Sequence, residues 1–92
     1  MRQRKHIRSK WEITLDILRA ILEEEGVAKK THIMQKAYLD WRNFQKHFNF
    51  LLEQGFIAER EEEPESKRKE YYLTEEGINL LRGLKEVEEA LE

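Results

Sequence analysis

Two helical patterns lie so close together in this chain that the turn between them dictates how they pack. The first is short, from Thr31 to about Ala37, with Thr31 as its expected cap and Ile33, Met34 and Ala37 expected to face inward. Tyr38-Leu39 breaks its period. Asp40 then offers a carboxylate that can accept from the free amides of a new first turn. A longer pattern covers residues 41–54 and stops at Gly55, because glycine adopts the left-handed conformation in which helices commonly end. Phe44, Phe48, Leu51 and Leu52 form its apolar stripe. Phe50 lies well off that stripe, which predicts packing on two sides, as for a helix wedged between other helices and a sheet. Helices joined by so short a turn cannot run on in line, and they must cross.

The flanking segments complete a fold. Ser9-Lys10-Trp11-Glu12 reads as a capping box that opens an earlier helix. Leu15, Leu18 and Leu22 share one face of it, widened by Trp11, Ile17 and Ile21, and Gly26 is its expected left-handed stop. Val27-Ala28 is long enough only for a stub of strand. After Gly55, two β-patterned runs, residues 56–60 and 69–73, flank the polar segment 61–68, which holds the only proline. That predicts a hairpin with a long solvated tip. Thr74 caps a last helix reaching about Leu91, in which Gly77, Leu80, Leu84, Val87 and Leu91 recur at intervals of 3, 4, 3 and 4. This is the spacing of a coiled-coil seam. Ile78 and Leu81 lie beside the seam, within reach of the core.

Helix, stub strand, helix, tight turn, helix, hairpin, helix is the order of a winged helix-turn-helix. The predicted class is α+β, mainly α, with a three-helix core, a β-hairpin wing and a C-terminal helix. Residues 1–8 read as a flexible basic arm, 9–74 as the winged helix-turn-helix domain and 75–92 as a dimerisation helix.

Charge is divided unevenly along the 92 residues. Residues 1–46 carry eleven Lys/Arg against six Asp/Glu, whereas residues 47–92 carry six against thirteen, giving +5 and −7. A polyanion would meet the first half. The alternative is a charge-rich surface of a heat-adapted protein, in which Glu and Lys rise together. There is no cysteine, which excludes disulfides and thiolate metal sites. No run approaches the roughly 18 apolar residues of a membrane span. Arg2, Arg4, Lys5 and Arg8 lead in without the apolar stretch of a secretory signal, so a cytoplasmic, nucleoid-associated protein is expected.

Residues 31–57, THIMQKAYLDWRNFQKHFNFLLEQGFI, resemble archaeal winged helix-turn-helix proteins, and in particular the ten-kilodalton chromatin-associated DNA-binding family. A second signature, Tyr71-Tyr72-Leu73-Thr74-Glu75-Glu76-Gly77 followed by Leu80-Leu81, is similar to the strand–cap–helix join of many archaeal and bacterial winged-helix regulators. Together the resemblance runs from about Ser9 to Leu84. It implies DNA binding through the third helix, a flanking wing, and homodimers joined through the last helix as an antiparallel coiled coil. Two departures stand out. The last helix extends only about two heptads past the domain, and the wing opens with a cluster of acids.

The third helix supplies the expected base-reading residues. Arg42 can contact guanine bidentately, Asn43, Gln45 and Asn49 can do the same to adenine, and Lys46 suits phosphate. The competing reading is a plain solvated face, for which Glu and Lys would be the commoner choice. Lys29, Lys30 and Thr31 at the start of the second helix, with Lys36, are candidate phosphate contacts. Arg4 and Lys5 in the arm suit a minor groove. In the wing, Lys67 and Arg68, followed by Lys69, could touch the DNA backbone beside the third helix, whereas Glu59, Glu61, Glu62, Glu63 and Glu65 would be repelled by the same phosphates. Trp41 stacks near the DNA backbone, serves a partner surface or closes the core over the second helix. Leu80, Leu84, Val87 and Leu91 are the expected dimer contacts.

No catalytic constellation is present. His6, His32 and His47 have no ligand spacing, Ser9 and Ser66 fall at a cap and in a loop tip, and no glycine-rich phosphate loop exists. No enzyme activity, cofactor, metal or small-molecule ligand is expected, and double-stranded DNA is the expected partner. The alternative function is a protein-interaction winged helix that uses the acidic second half.

Overall fold

The computed structural model of the chain describes residues 8–25, 27–61 and 69–92. The elements are α1 (Lys10–Glu23), β1 (Val27–Ala28), α2 (Lys30–Lys36), α3 (Trp41–Glu53), β2 (Ile57–Glu61), β3 (Lys69–Leu73) and α4 (Glu75–Leu91). The strands form one antiparallel sheet in the order β1-β3-β2, with Val27 opposite Tyr72 and Ile57 opposite Leu73. This is the predicted mainly helical α+β architecture: a helical core, a hairpin and a final helix.

Three of the four predicted helix starts are made as expected. The Glu12 amide donates to the Ser9 hydroxyl while the Ser9 amide donates to the Glu12 carboxylate at 2.8 Å. Asp40 accepts from the Asn43 amide, and Thr74 from the Gly77 amide. The fourth start differs. Lys29, not Thr31, occupies the cap position of α2, no side chain caps it, and Thr31 is exposed in the first turn.

Helix ends show why glycine was an incomplete guide. Among the described residues, three positions just past a helix have positive φ: Glu25 (63°) after α1, Tyr38 (56°) after α2 and Gly55 (81°) after α3. At α2 the Tyr38 amide donates to Gln35 and the Leu39 amide to Met34; at α3 Gly55 donates to Leu52 and Phe56 to Leu51. Both are the paired closing bonds of a Schellman motif. At the end of α1 Glu25 takes a left-handed position; Gly26, the expected stop, lies outside the described residues. The positive φ disfavours an L side chain, so Tyr38→Gly, which removes a ring that is 86% exposed, is expected to raise stability by about 0.5–1 kcal/mol in thermal unfolding.

The wedged element is α1, not α3. Leu15, Ile17, Leu18, Ala20 and Ile21 are all buried, and α1 packs on α2, α3, α4, β1 and β3. Leu22 does not share that fate and is 48% exposed. Likewise Phe50 faces outward at 53% exposure, so α3 is buried along one stripe only. On that stripe Phe44 stacks on Phe48 at 4.8 Å between ring centroids, and Phe48 meets the edge of Tyr71 at 4.8 Å. Each fully buried side chain of this size contributes about 1.5–3 kcal/mol.

Arg8, read as part of the arm, belongs to the fold. Its guanidinium donates to Asp16 and to the Ala37 carbonyl at 2.7 Å each, and to the Tyr38 carbonyl at 2.6 Å. It thereby caps the C-terminus of α2 and fastens the helix-turn-helix to α1. The rest of the predicted arm, with Arg4 and Lys5, lies outside the described residues.

Candidate nucleic-acid interface

Helical geometry sorts the side chains of α3. Phe44, Phe48 and Leu51 point into the core, which turns Arg42, Lys46 and Asn49, at spacings of four and three, onto one exposed face. Asn43 is exposed too, but its amide group donates to the Asp40 carboxylate at 3.3 Å, so it buttresses the helix start. Gln45 departs from expectation. It sits at the edge of the buried stripe, half-buried, and its Oε1 is shut from solvent without a hydrogen-bond partner.

The predicted phosphate contacts fall into two groups. Lys29 is exposed at the start of α2. Lys30 leans across to α3, its ammonium 5.6 Å from the Trp41 ring centre and 5.2 Å from that of Phe48. That cation–π contact joins the first turn of α2 to two rings of α3. Trp41 is tilted on Phe44 at 6.2 Å yet half exposed, so it closes the core only in part. Lys36 is not brought to this face. Its ammonium bonds Glu23 at 3.3 Å and approaches Glu24 at 3.5 Å. The bond to Glu23 above all, with Glu24 adding, holds its pKa above the ordinary lysine value.

The wing stem is neutralised internally. Lys69 meets Glu59 at 3.2 Å, and Arg60 meets Glu70, its partner across the strands, at 3.3 Å. Lys67 and Arg68 lie outside the described residues. The expected dimer seam is split by the tertiary structure. Leu80 and Leu84 are half-buried against the domain core, while Val87 is 43% and Leu91 70% exposed. Gly77 is no seam position, because it is buried where α4 crosses the Phe56 carbonyl.

Two features of this region were absent from the sequence reading. The Arg8 clamp had no local signal, since its carbonyl acceptors lie 29 and 30 residues away. A hollow beside α3, between it and α1, also escaped notice. The outlying Phe50 was its only trace. Among the described residues no group of His, Asp and Glu is arranged to hold a metal, and no helix is long and apolar enough to cross a membrane.

Comparison with known proteins agrees with this geometry. The chain is 41% identical over 90 residues to the uncharacterized protein MJ0287 of Methanocaldococcus jannaschii, an alignment covering 98% of this chain and 84% of that one. A second protein of that organism, MJ0290, is 36% identical over 80 residues, but this chain spans only 34% of its length. The crystal structure of Sso10a-2, a DNA-binding protein from Sulfolobus solfataricus, superposes with a TM-score of 0.78 at 28% identity, covering 90% of this chain and 81% of that one. The PcaV transcriptional regulator from Streptomyces coelicolor shares the fold alone, with a TM-score of 0.68 at 21% identity over 78% of this chain and 50% of its own. The winged helix-turn-helix family profile matches residues 7–92, and the chain belongs to that family.

Proposed function

We propose that this chain binds double-stranded DNA through α3, as a homodimeric transcriptional regulator or architectural protein. The observation that carries the reading is the single exposed face of α3 that holds Arg42, Lys46 and Asn49, with Lys29 exposed at the start of α2 and Lys30 packed on the rings of α3. Arg42 and Asn49 have the donor geometry to read base edges, and Lys46 and Lys29 suit phosphates. The likeness to Sso10a-2 supports it. The wing plays a lesser part, since the described cations of its stem already face glutamates.

Mobility shift on duplex DNA across a salt series tests the proposal. Binding should weaken steeply with salt, because each neutralised phosphate releases counterions. Arg42→Ala is expected to shrink the preference for a selected site over random duplex about tenfold, whereas Lys46→Ala weakens all duplexes alike and lowers the salt slope by about one. Absence of binding at about 50 mM salt, or binding indifferent to salt, overturns the reading.

Dimerisation is proposed through the end of α4. The informative positions are Val87 and Leu91, since Leu80 and Leu84 also serve the core. The double change Val87→Glu with Leu91→Glu should give monomers by sedimentation while keeping the monomer's fold by circular dichroism. A monomeric wild type refutes the interface.

A further inference from the structure

Where α3 lies against α1, Lys10 and Thr14 of α1 and Lys46, His47 and Phe50 of α3 line a mostly apolar hollow of about 330 Å³. Nothing in the core accounts for Phe50, whose ring stays half exposed in it. The lining carries two lysines, neither held in an ion pair, and no carboxylate. His47 is oriented by the bond between its Nδ1 and the Asn43 carbonyl at 2.9 Å. An aromatic wall, a hydroxyl and two unpaired cations around a small concavity suit one chemistry. Cations are repelled, purely polar anions gain nothing from Phe50, and the volume lies at the small end of the roughly 300–1,000 Å³ typical of ligand sites.

We infer that this hollow binds a small planar organic anion, an aryl carboxylate or its heteroaryl equivalent, with the ring on Phe50 and the carboxylate held by Lys10 and Lys46. Because Lys46 also stands on the exposed face of α3, an occupied hollow competes with duplex binding. The competition rests on the DNA-binding reading, but the site itself does not.

The probe is benzoate, titrated into the full chain while backbone amide shifts are followed. Saturable shifts centred on Lys10, Thr14, Lys46, His47 and Phe50 are expected. Acetate and benzamide, which lack the ring and the charge respectively, should bind about tenfold more weakly or less well. Phe50→Ala and Lys10→Gln, both at exposed positions that leave the fold intact, should each weaken benzoate about tenfold. Failure to saturate, shifts centred elsewhere, or equal response to acetate overturns the site. Benzoate that fills the hollow without weakening duplex binding overturns the competition. A chain that binds no duplex at all still gives the benzoate result, so the two readings fail separately.

Discussion

Gly77→Ala is expected to lower stability by about 3 kcal/mol, at the upper end of the usual cost of overpacking. In a domain of this size that is roughly 12–24 °C in the thermal midpoint. Gly77 lies in the first turn of α4, where a Cβ would run into the Phe56 carbonyl oxygen. That oxygen belongs to rigid backbone just before β2 and accepts from the Thr74 amide at 3.1 Å. The Thr74 hydroxyl also donates to the Gly55 carbonyl at 2.6 Å. The clash therefore falls on the knot that ties the end of α3 to the start of α4, and neither side can give without breaking a hydrogen bond. Gly83, six residues on in the same helix, has nothing within 4 Å of its added Cβ. There the same substitution should stabilise by about 0.5–1 kcal/mol, because only the helix preference of alanine is felt. Paired thermal unfolding checks both. Equal effects at the two positions would refute the close crossing of α4 over Phe56.

Arg8→Ala should cost about 2 kcal/mol, or roughly 8–16 °C. The side chain is three-quarters buried and makes charge-assisted bonds to two carbonyls and to Asp16. Surface ion pairs alone are worth little, so most of the loss should come from the Ala37 and Tyr38 carbonyls, left without their donor at the end of α2. Arg8→Lys tests the geometry, because an ammonium cannot span both carbonyls and the carboxylate as the planar fork does. It should recover only a small part of the loss. The change also bears on function. Tyr38 holds its positive φ in the turn that orients α3, so a loosened turn should weaken duplex binding beyond the loss of one positive charge. An Arg8→Ala protein with wild-type stability and wild-type duplex affinity would show that the clamp is idle.

Much of the fold was legible because it is written in short-range chemistry. Ser9, Asp40 and Thr74 each cap a helix from a residue three positions away, a distance a linear reading can see. The β-patterned run of residues 69–73 likewise announced a strand. Legibility failed where a local rule had a non-local override. Glu25 and Tyr38 take left-handed positions usually filled by glycine, held there by helix-closing hydrogen bonds and, at Tyr38, by Arg8. Leu22 fits the apolar period of α1, yet it is left about half exposed.

The candidate site divides along the same line. That α3 exists, begins after Asp40 and turns Arg42, Lys46 and Asn49 away from Phe44 and Phe48 was determined by the sequence alone, because helical periodicity assigns faces without knowledge of neighbours. Which of the remaining cations join that face only the tertiary structure decided. Lys30 is held over the rings of Trp41 and Phe48 rather than on that face, and Lys36 is drawn away by Glu23 and Glu24. Gln45 is tucked into its edge, and the seam residues Leu80 and Leu84 are claimed by the core of their own domain. A side chain's period is set by the helix it belongs to. Its partners are set by what the fold brings against it, and these pairings join residues on different helices.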